Sequence, residues 1–460
     1  MDTMWAPRLE GTLTGAGRAK YKALAEGIRG AIRDGHLSEG AKLPPVRDLA
    51  FKVGVTPGTV ARAYSVLTDE GVLSAEVGRG TFVASRAAPV AEDWPEIVRL
   101  RSPTISDGGQ VALIREHMRQ QADDMSLQEL TFYPSRQGDL PLREVLAGRL
   151  SQEALGPISP EQMVLTHGGQ SALVMVMQAV LKGPHPVVMV ERLAYPGFRR
   201  AAELNRAQVV SIDTDDEGPL PDQIEAAARE LGAQMLLTSA DVNNPTLRRT
   251  SARRRLEIAE VARRWGIHVV DDDCYTLAQL EEEGYRAILP ELGWYVSSFS
   301  KVLTPSLRIG YVATPEGQGK TLSRVAAFGH FGMALPLVDL GRRVLEDPRL
   351  PAIRARISAL SAERVRVAVN HLGGHEVTWS EDVPFLWLQL PYGWRSSAFV
   401  RAAQDRGVIL KSSEDYVLRD ARAPHAVRLA VNGQVSMACY EDALRKVRSI
   451  LDNPVEEMTV

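Results

Sequence analysis

The sequence predicts a two-part chain: a large α/β domain around a mostly parallel sheet that ends in a smaller α+β lobe, preceded by a small α+β unit of three helices and a hairpin. Three observations carry this prediction. From about residue 98 onward, short apolar runs alternate with amphipathic helical stretches, the pattern of strands covered on both faces by crossover helices. Before residue 86 the apolar spacing is helical and then turns into two β-like runs. At 460 residues the chain exceeds one compact core, and 45% hydrophobic with 24% charged residues is ordinary for a globular protein.

The first part, residues 1–85, divides as follows. Ala19–Asp34 places Leu24, Ile28, Ala31 and Ile32 on one helical face, with Gly35 as a stop. Pro44 and Pro45 open a short helix, Val46–Val53, that ends at Gly54. Thr56 is a good N-cap for a third helix, because its hydroxyl accepts an orphan backbone N–H, and Pro57 at the first helical position loses no hydrogen bond. That helix runs through VARAYSVLTDE to Gly71, and the runs VLSAEV and TFVAS follow around the turn Gly78–Gly80. Helix, turn, helix and a basic β-turn make the layout of a winged helix-turn-helix. Its third helix would present Thr56, Thr59 and Arg62 opposite the apolar Val60, Tyr64 and Leu67, a face suited to the DNA major groove. Arg79 at the wing tip and Arg47 on the second helix are placed to meet phosphate or base. A small three-helix accessory domain with solvated arginines is the plainer alternative that the pattern alone leaves open.

Residues 86–97 contain two prolines and little periodicity, and are expected to form a linker. The large domain, residues 98–460, then shows strand-like runs at Pro186–Val190, Gln234–Thr238, Ile267–Asp271 and Trp294–Phe299, with a helix over Ser251–Trp265. From about Pro336 the pattern becomes helix followed by short strands, PFLWLQL and AVRLAV.

Composition excludes several classes. Cys274 and Cys439 are the only cysteines, too few for a disulfide framework or a cysteine-based zinc site, and no metal site is expected. The first residues lack the basic and apolar regions of a secretory signal, and no uninterrupted apolar run is long enough to span a membrane, so a cytoplasmic protein is expected. Net charge is -3, but residues 1–86 carry 12 Lys and Arg against 9 Asp and Glu, a mild basic bias at the expected DNA-binding end.

The strongest chemical signal is Ser297-Ser298-Phe299-Ser300-Lys301 followed by Arg308-Ile309-Gly310. A lysine beyond a buried strand, with hydroxyls beside it and a guanidinium downstream, suits an aldehyde cofactor that carries a phosphate. Four further stretches follow the same logic. Thr166-His167-Gly168-Gly169-Gln170 is a glycine turn that opens a helix and so offers free N–H groups to an anion. Tyr195 can stack on a flat ring, Asn244 in Asn243-Asn244-Pro245-Thr246 can hydrogen-bond a phenolic oxygen, and Asp272 in Asp271-Asp272-Asp273-Cys274-Tyr275 can face a pyridinium nitrogen. Taken singly, each is also a helix cap, a core aromatic, a turn residue or a solvated acid. Together they sit at the C-terminal ends of strands, where open α/β sheets bind ligands.

Three resemblances narrow this reading. The stretch KLPPVRDLAFKVGVTPGTVARAYSVLTDEGVLSAEVGRGTFV, Lys42–Val83, closely resembles the GntR-family winged helix, which implies Arg47, Thr56, Thr59, Arg62 and Arg79 as DNA-facing positions. Residues 98–460 resemble fold-type I aminotransferases. That likeness implies pyridoxal 5′-phosphate (PLP) on Lys301, with Asp272 at the pyridine nitrogen, Asn244 and Tyr275 at the ring hydroxyl and Tyr195 on the ring face. It implies Gly169, Gln170, Ser298, Ser300 and Arg308 at the phosphate. Arg428, in Val427-Arg428-Leu429, matches the arginine that grips a substrate carboxylate; an arginine on a strand edge in a surface ion pair is the plainer alternative. The sequence departs from that family at Leu193, at Leu247, where a glycine is usual, and at Cys274, where a proline is frequent. The whole chain resembles the MocR (GabR-like) subfamily of regulators. That resemblance implies a homodimer that binds operator DNA and senses a small amine or amino acid through external aldimine formation at Lys301. A working aminotransferase with an appended DNA-binding domain, or a cofactor-free dimerisation scaffold, are the competing expectations. Effector identity is not legible in the residues.

Overall fold

The computed structural model describes residues 20–33, 36–38, 40–69, 72–76, 80–83, 97–151, 154–275, 280, 282–418 and 421–453. Arg79, the turn glycine Gly78, the stops Gly35 and Gly71, and the expected linker up to residue 96 lie outside the described residues. Packing divides the described residues into two compact units, one on each side of residue 95.

In the first unit, helices Lys20–Arg33, Val46–Lys52 and Pro57–Asp69 precede an antiparallel pair, Leu73–Glu76 with Gly80–Val83. The apolar faces close on one core that includes Leu24, Ile28, Leu43, Leu49, Val60, Leu67, Leu73 and Val83. Ala31 and Ile32, expected on the same face, are only partly buried at its margin. Thr56 caps the third helix: its Oγ1 accepts the Thr59 backbone N–H at 3.3 Å. The Tyr64 hydroxyl donates to the Pro44 carbonyl at 2.9 Å, which ties this helix to the turn before the second. Gly54 takes φ +65°, the left-handed geometry that ends the second helix, at no Cβ penalty.

The second unit holds a seven-stranded sheet in the order Met163–Thr166, Gly310–Ala313, Gly293–Ser298, His268–Asp272, Ala233–Thr238, Val187–Glu191, Gln208–Ile212. All neighbours pair in parallel except at Gly310–Ala313, which runs antiparallel to both of its neighbours. The buried central strands are the aliphatic runs of the sequence, because a strand covered on both faces needs apolar side chains at every position. Helices Gly169–Val180 and Ala252–Trp265 contribute to the packed cores beside the sheet, the second capped by Ser251 and closed by Gly266 at φ +67°. Parallel pairing brings Glu191, Thr238, Asp272 and Ser298 to one end of the sheet, and the two antiparallel pairings of Gly310–Ala313 bring Thr166 to the same end. The single antiparallel strand starts at that same end, with Gly310 opposite both Ser298 and Thr166.

The smaller lobe is an antiparallel sheet ordered Val377–Thr378, Phe385–Gln389, Ala426–Ala430, Lys411–Ser412. Leu386, Leu388, Val427 and Leu429 share a core with residues of helices Leu350–Leu372, Ser396–Asp405 and Met437–Asp452. Phe385, Trp387, Ala426 and Ala430 take the opposite face and cluster with Tyr416 and with Val242 and Leu247 of the large sheet's loop. By the two-residue period, Arg428 belongs to that second face. It therefore points from an interior strand toward the large sheet. Among the described residues, no helix is long and apolar enough to cross a membrane.

Candidate functional site

Asp272 closes strand His268–Asp272 and is buried. Burial lifts its carboxyl to about 6, while the Cys274 thiol, donating to Oδ1 at 3.0 Å, works in the opposite direction. Lys301 follows the neighbouring strand Gly293–Ser298, and its ammonium donates to the Pro103 carbonyl at 3.2 Å. Burial, and then the Arg428 guanidinium, push this amine down to about 8. An amine so placed is far more often neutral near physiological pH than an exposed lysine.

On the other flank, Gly168 at φ +86° precedes helix Gly169–Val180, whose first N–H groups are free to meet an anion. Arg308 lies across this turn, donating from Nη2 to the His167 carbonyl at 3.1 Å and from Nη1 to Ser300 Oγ at 3.4 Å. A Cβ built on Gly168 would stand 2.5 Å from Arg308 Nη2, so only glycine admits the guanidinium here. A Cβ on Gly169 would stand 3.2 Å from Cys274 Sγ. The glycine turn, the Arg308 fork and the hydroxyls of Ser298 and Ser300 thus form a cradle with the geometry a phosphate dianion needs.

Tyr195 precedes helix Pro196–Leu204, and its hydroxyl donates to Gln170 Oε1 at 3.3 Å, while Gln170 Nε2 donates to the Gly197 carbonyl at 3.0 Å. Asn244 Nδ2 donates to the Tyr275 hydroxyl at 3.2 Å, and Asn244 Oδ1 accepts from Arg428 Nη1 at 2.6 Å. Arg428 Nη2 donates to the Arg101 carbonyl at 2.7 Å. Arg428 is 2% exposed and sits between two paired strands, so the surface ion pair on a strand edge is not what the structure holds. Leu247, where the resembling family has glycine, takes φ +62°: the loop keeps the left-handed turn although the residue is not glycine.

All ten residues expected to surround the cofactor line one cavity of about 230 Å³: Gly169, Gln170, Tyr195, Asn244, Asp272, Tyr275, Ser298, Ser300, Lys301 and Arg308. A primary amine, a buried carboxylate and an anion cradle around one cavity are the donor set that a phosphorylated pyridine aldehyde requires, so the residues fit that group. Cys274, named in the sequence only as a departure from that family, lines it as well, and so do Ser239 and Pro305, which were not singled out. Glu191 was also missed. It is buried behind the Asn244 loop, accepting from Thr238 Oγ1 and Asn243 Nδ2, each at 2.7 Å. A carboxylate at the end of an apolar strand was the available signal.

In the first unit, Thr56, Arg47 and Arg62 are exposed and Thr59 is half-buried. The Arg62 guanidinium lies 4.5 Å from the centroid of the Tyr21 ring, which was not foreseen.

The sequence pattern of the family described as aminotransferase class I and II matches residues 96–447. The chain belongs to the aminotransferase class I and II family. Ahead of this aminotransferase-type domain, residues 20–83 match the bacterial regulatory proteins of the gntR family. This two-part make-up agrees with the MocR-like resemblance of the sequence. The chain is similar to the uncharacterized HTH-type transcriptional regulator YdeF of Bacillus subtilis, 25% identical over 98% of this chain and 97% of that protein. It is similar to the HTH-type pyridoxine biosynthesis transcriptional regulator PdxR of Corynebacterium glutamicum, 27% identical over 65% and 67% of the two chains. The probable rhizopine catabolism regulatory protein MocR of Rhizobium meliloti is 24% identical over 78% of each. Among solved structures, an archaeal alanine:glyoxylate aminotransferase superposes with a TM-score of 0.70 at 19% identity, over 89% of this chain and 96% of that one. Kynurenine aminotransferase of Pyrococcus horikoshii gives 0.70 at 22% identity, over 79% and 92%. These likenesses establish the fold.

Proposed function

We propose that this protein is a PLP-dependent, DNA-binding transcriptional regulator that senses a small amino compound at Lys301 and works as a homodimer. The observation that carries the reading is the half-buried amine of Lys301 in one cavity with the buried carboxylate of Asp272 and the Gly168–Arg308 cradle. When bound, PLP supplies an aldehyde that condenses reversibly with primary amines. Lys301, with its lowered proton affinity, presents a neutral amine to that aldehyde more often than an exposed lysine would. Asp272, ionised above about pH 6, holds a proton on a ring nitrogen by charge. Gly169, Gln170, Ser298, Ser300 and Arg308 hold the phosphate, Tyr195 flanks the ring, and Asn244 and Tyr275 serve its hydroxyl. Arg428 orients the carboxylate of the incoming amino compound.

The DNA-binding part of the proposal rests on the gntR-family match and on the outward Arg47, Thr56, Thr59 and Arg62; Arg79 belongs to the same proposal through resemblance. The homodimer is supported by exposed aromatics on the aminotransferase-type domain, Phe132, Tyr133, Phe328 and Phe331, of which Tyr133 and Phe331 pack ring to ring; a second copy would cover such surface. An effector changes regulation only if it favours one arrangement of the protein over another, and replacement of Lys301 by a ligand amine, with a new anion on Arg428, supplies such a difference.

The intact Lys301 and Asp272 also favour a second reading, a working aminotransferase. One experiment tests both. Purified protein supplied with PLP is titrated with a panel of amines, followed by absorbance, with a keto acid present in a parallel series. A band shift without multiple turnovers supports the sensor; sustained product formation supports the enzyme; a colourless protein overturns both.

A further inference from the structure

The surroundings of Arg428 narrow the chemical class of the effector. Lys411 and Arg428 are directly opposite each other in the antiparallel pairing of Lys411–Ser412 with Ala426–Ala430. Like charges directly opposite on one face of a sheet repel and destabilise the pairing. Both cations also pack on one ring: Lys411 Nζ is 4.6 Å and Arg428 Cζ 5.5 Å from the centroid of Tyr416. Arg101, whose carbonyl Arg428 holds, and Arg200 add positive charge that Lys411 feels, with Asp415 as the acid that partly offsets it. Among the described residues, none of these four cations has a carboxylate within ion-pair distance.

Two polar atoms in this group have no hydrogen-bond partner although they are buried, Nε of Arg428 and the hydroxyl of Tyr416, on residues that are 2% and 3% exposed. Both are donors, or can be, and buried donors are almost always satisfied. Burial, and then Arg428, lower the proton affinity of Lys411 to about 8, as expected of an ammonium held among like charges. The group adjoins the Lys301 cavity through Arg428, Asn244 and Tyr275.

We infer that the effector is an amine bearing two acidic groups, one held by Arg428 and the second by Lys411 with the Tyr416 hydroxyl. This rests on the sensing role proposed above. A single carboxylate neutralises Arg428 and leaves Lys411 opposed to the remaining positive charge. A second acidic group removes that repulsion and meets the unsatisfied donors, whereas a diamine adds to the repulsion.

The test uses full-length protein loaded with PLP and four probes: glutamate, aspartate, glutamine and putrescine. We expect half-saturation of the visible band at least ten-fold lower for glutamate or aspartate than for glutamine, and no response to putrescine at those concentrations. Lys411→Gln should collapse the gap between glutamate and glutamine, and Lys411→Arg should keep it. Equal half-saturation for glutamate, aspartate and glutamine, or an undiminished gap in Lys411→Gln, overturns the inference. A second measurement is independent of the cofactor: glutarate should raise the Tm of wild-type protein, butyrate should raise it less, and Lys411→Gln should lose the difference. Should the protein stay colourless with PLP, the sensing reading fails, and the glutarate series alone decides whether the second acid site exists.

Discussion

Arg428 donates to Asn244 Oδ1 at 2.6 Å, and the same amide donates from Nδ2 to the Tyr275 hydroxyl at 3.2 Å. A guanidinium has only donors, so it fixes which end of the Asn244 amide faces it and thereby leaves the NH2 group to the phenol. Arg428, proposed to hold the effector's carboxylate, and the residues proposed for the cofactor's ring hydroxyl are therefore one hydrogen-bonded chain. Replacing Arg428 with Gln should weaken the response to carboxylated amines by about 10- to 100-fold, since a hydrogen bond to a charged group is worth about 1.5–3 kcal/mol. PLP retention should fall much less. Titration of both by absorbance checks this, and an equal loss of the two would remove the carboxylate assignment.

The Lys301 amine, brought down to about 8, should set the pH dependence of cofactor uptake. The rate at which PLP-free protein acquires its visible band should rise with pH and reach its half-way point near pH 8. Because Arg428 is the largest cause after burial, Arg428→Gln should move that midpoint upward. Lys301→Ala should abolish the band. A midpoint near the ordinary lysine value of about 10.4 would show that the amine is not desolvated as described.

On the DNA side, Arg47→Ala and Arg62→Ala should each weaken operator binding without altering the visible band. If each contacts one phosphate, the slope of log affinity against log salt should fall by about 1 per substitution. Arg62 is steadied by the Tyr21 ring 4.5 Å away, so Tyr21→Ala should produce a smaller loss of the same kind. Fluorescence anisotropy across a salt series reads all three, and unchanged affinity in both arginine variants would place the DNA elsewhere.

Glu191 should make stability depend on pH. Burial raises its carboxyl from 4.5 to about 7, so the folded chain holds this proton more tightly than the unfolded chain does. Its contribution is fully present below pH 4.5 and is lost as pH rises through 7, a change of about 3 kcal/mol. Glu191→Gln keeps an acceptor for Asn243 and should flatten that part of the profile. Denaturant unfolding at pH 5 and pH 8 measures it; identical slopes in variant and wild type would refute the assignment.

Leu247 sets two effects against each other. Its φ of +62° costs a leucine about 1–2 kcal/mol that glycine would not incur. Yet its side chain is 8% exposed and packs in the cluster of Val383, Phe385, Trp387 and Tyr416. Truncating a buried leucine costs about 2–5 kcal/mol, so burial wins. Leu247→Gly should lower stability by about 1–3 kcal/mol, read as a shift in Tm, despite restoring the residue usual in the family.

Much of the fold was open to sequence reasoning because it is written in local patterns. The strands Val187–Glu191, Ala233–Thr238, His268–Asp272 and Gly293–Ser298 fall within one residue of the expected runs, since strands buried on both faces must be continuously apolar. Met163–Thr166 and Gly310–Ala313 were not foreseen as strands: each has four residues, too few to show a period of their own. Ten of the residues that line the Lys301 cavity were nameable because each sits in a short motif at a strand end or helix start.

Residue types and their order along the chain thus determined, unaided, that there would be a helix-turn-helix unit, a parallel sheet and a lysine after one of its strands. Tertiary structure alone decided that Lys411 faces Arg428 and that Arg428 reaches Asn244. Those relations depend on strand register and on the docking of one sheet over another, and both arise from packing between distant segments rather than from any local preference.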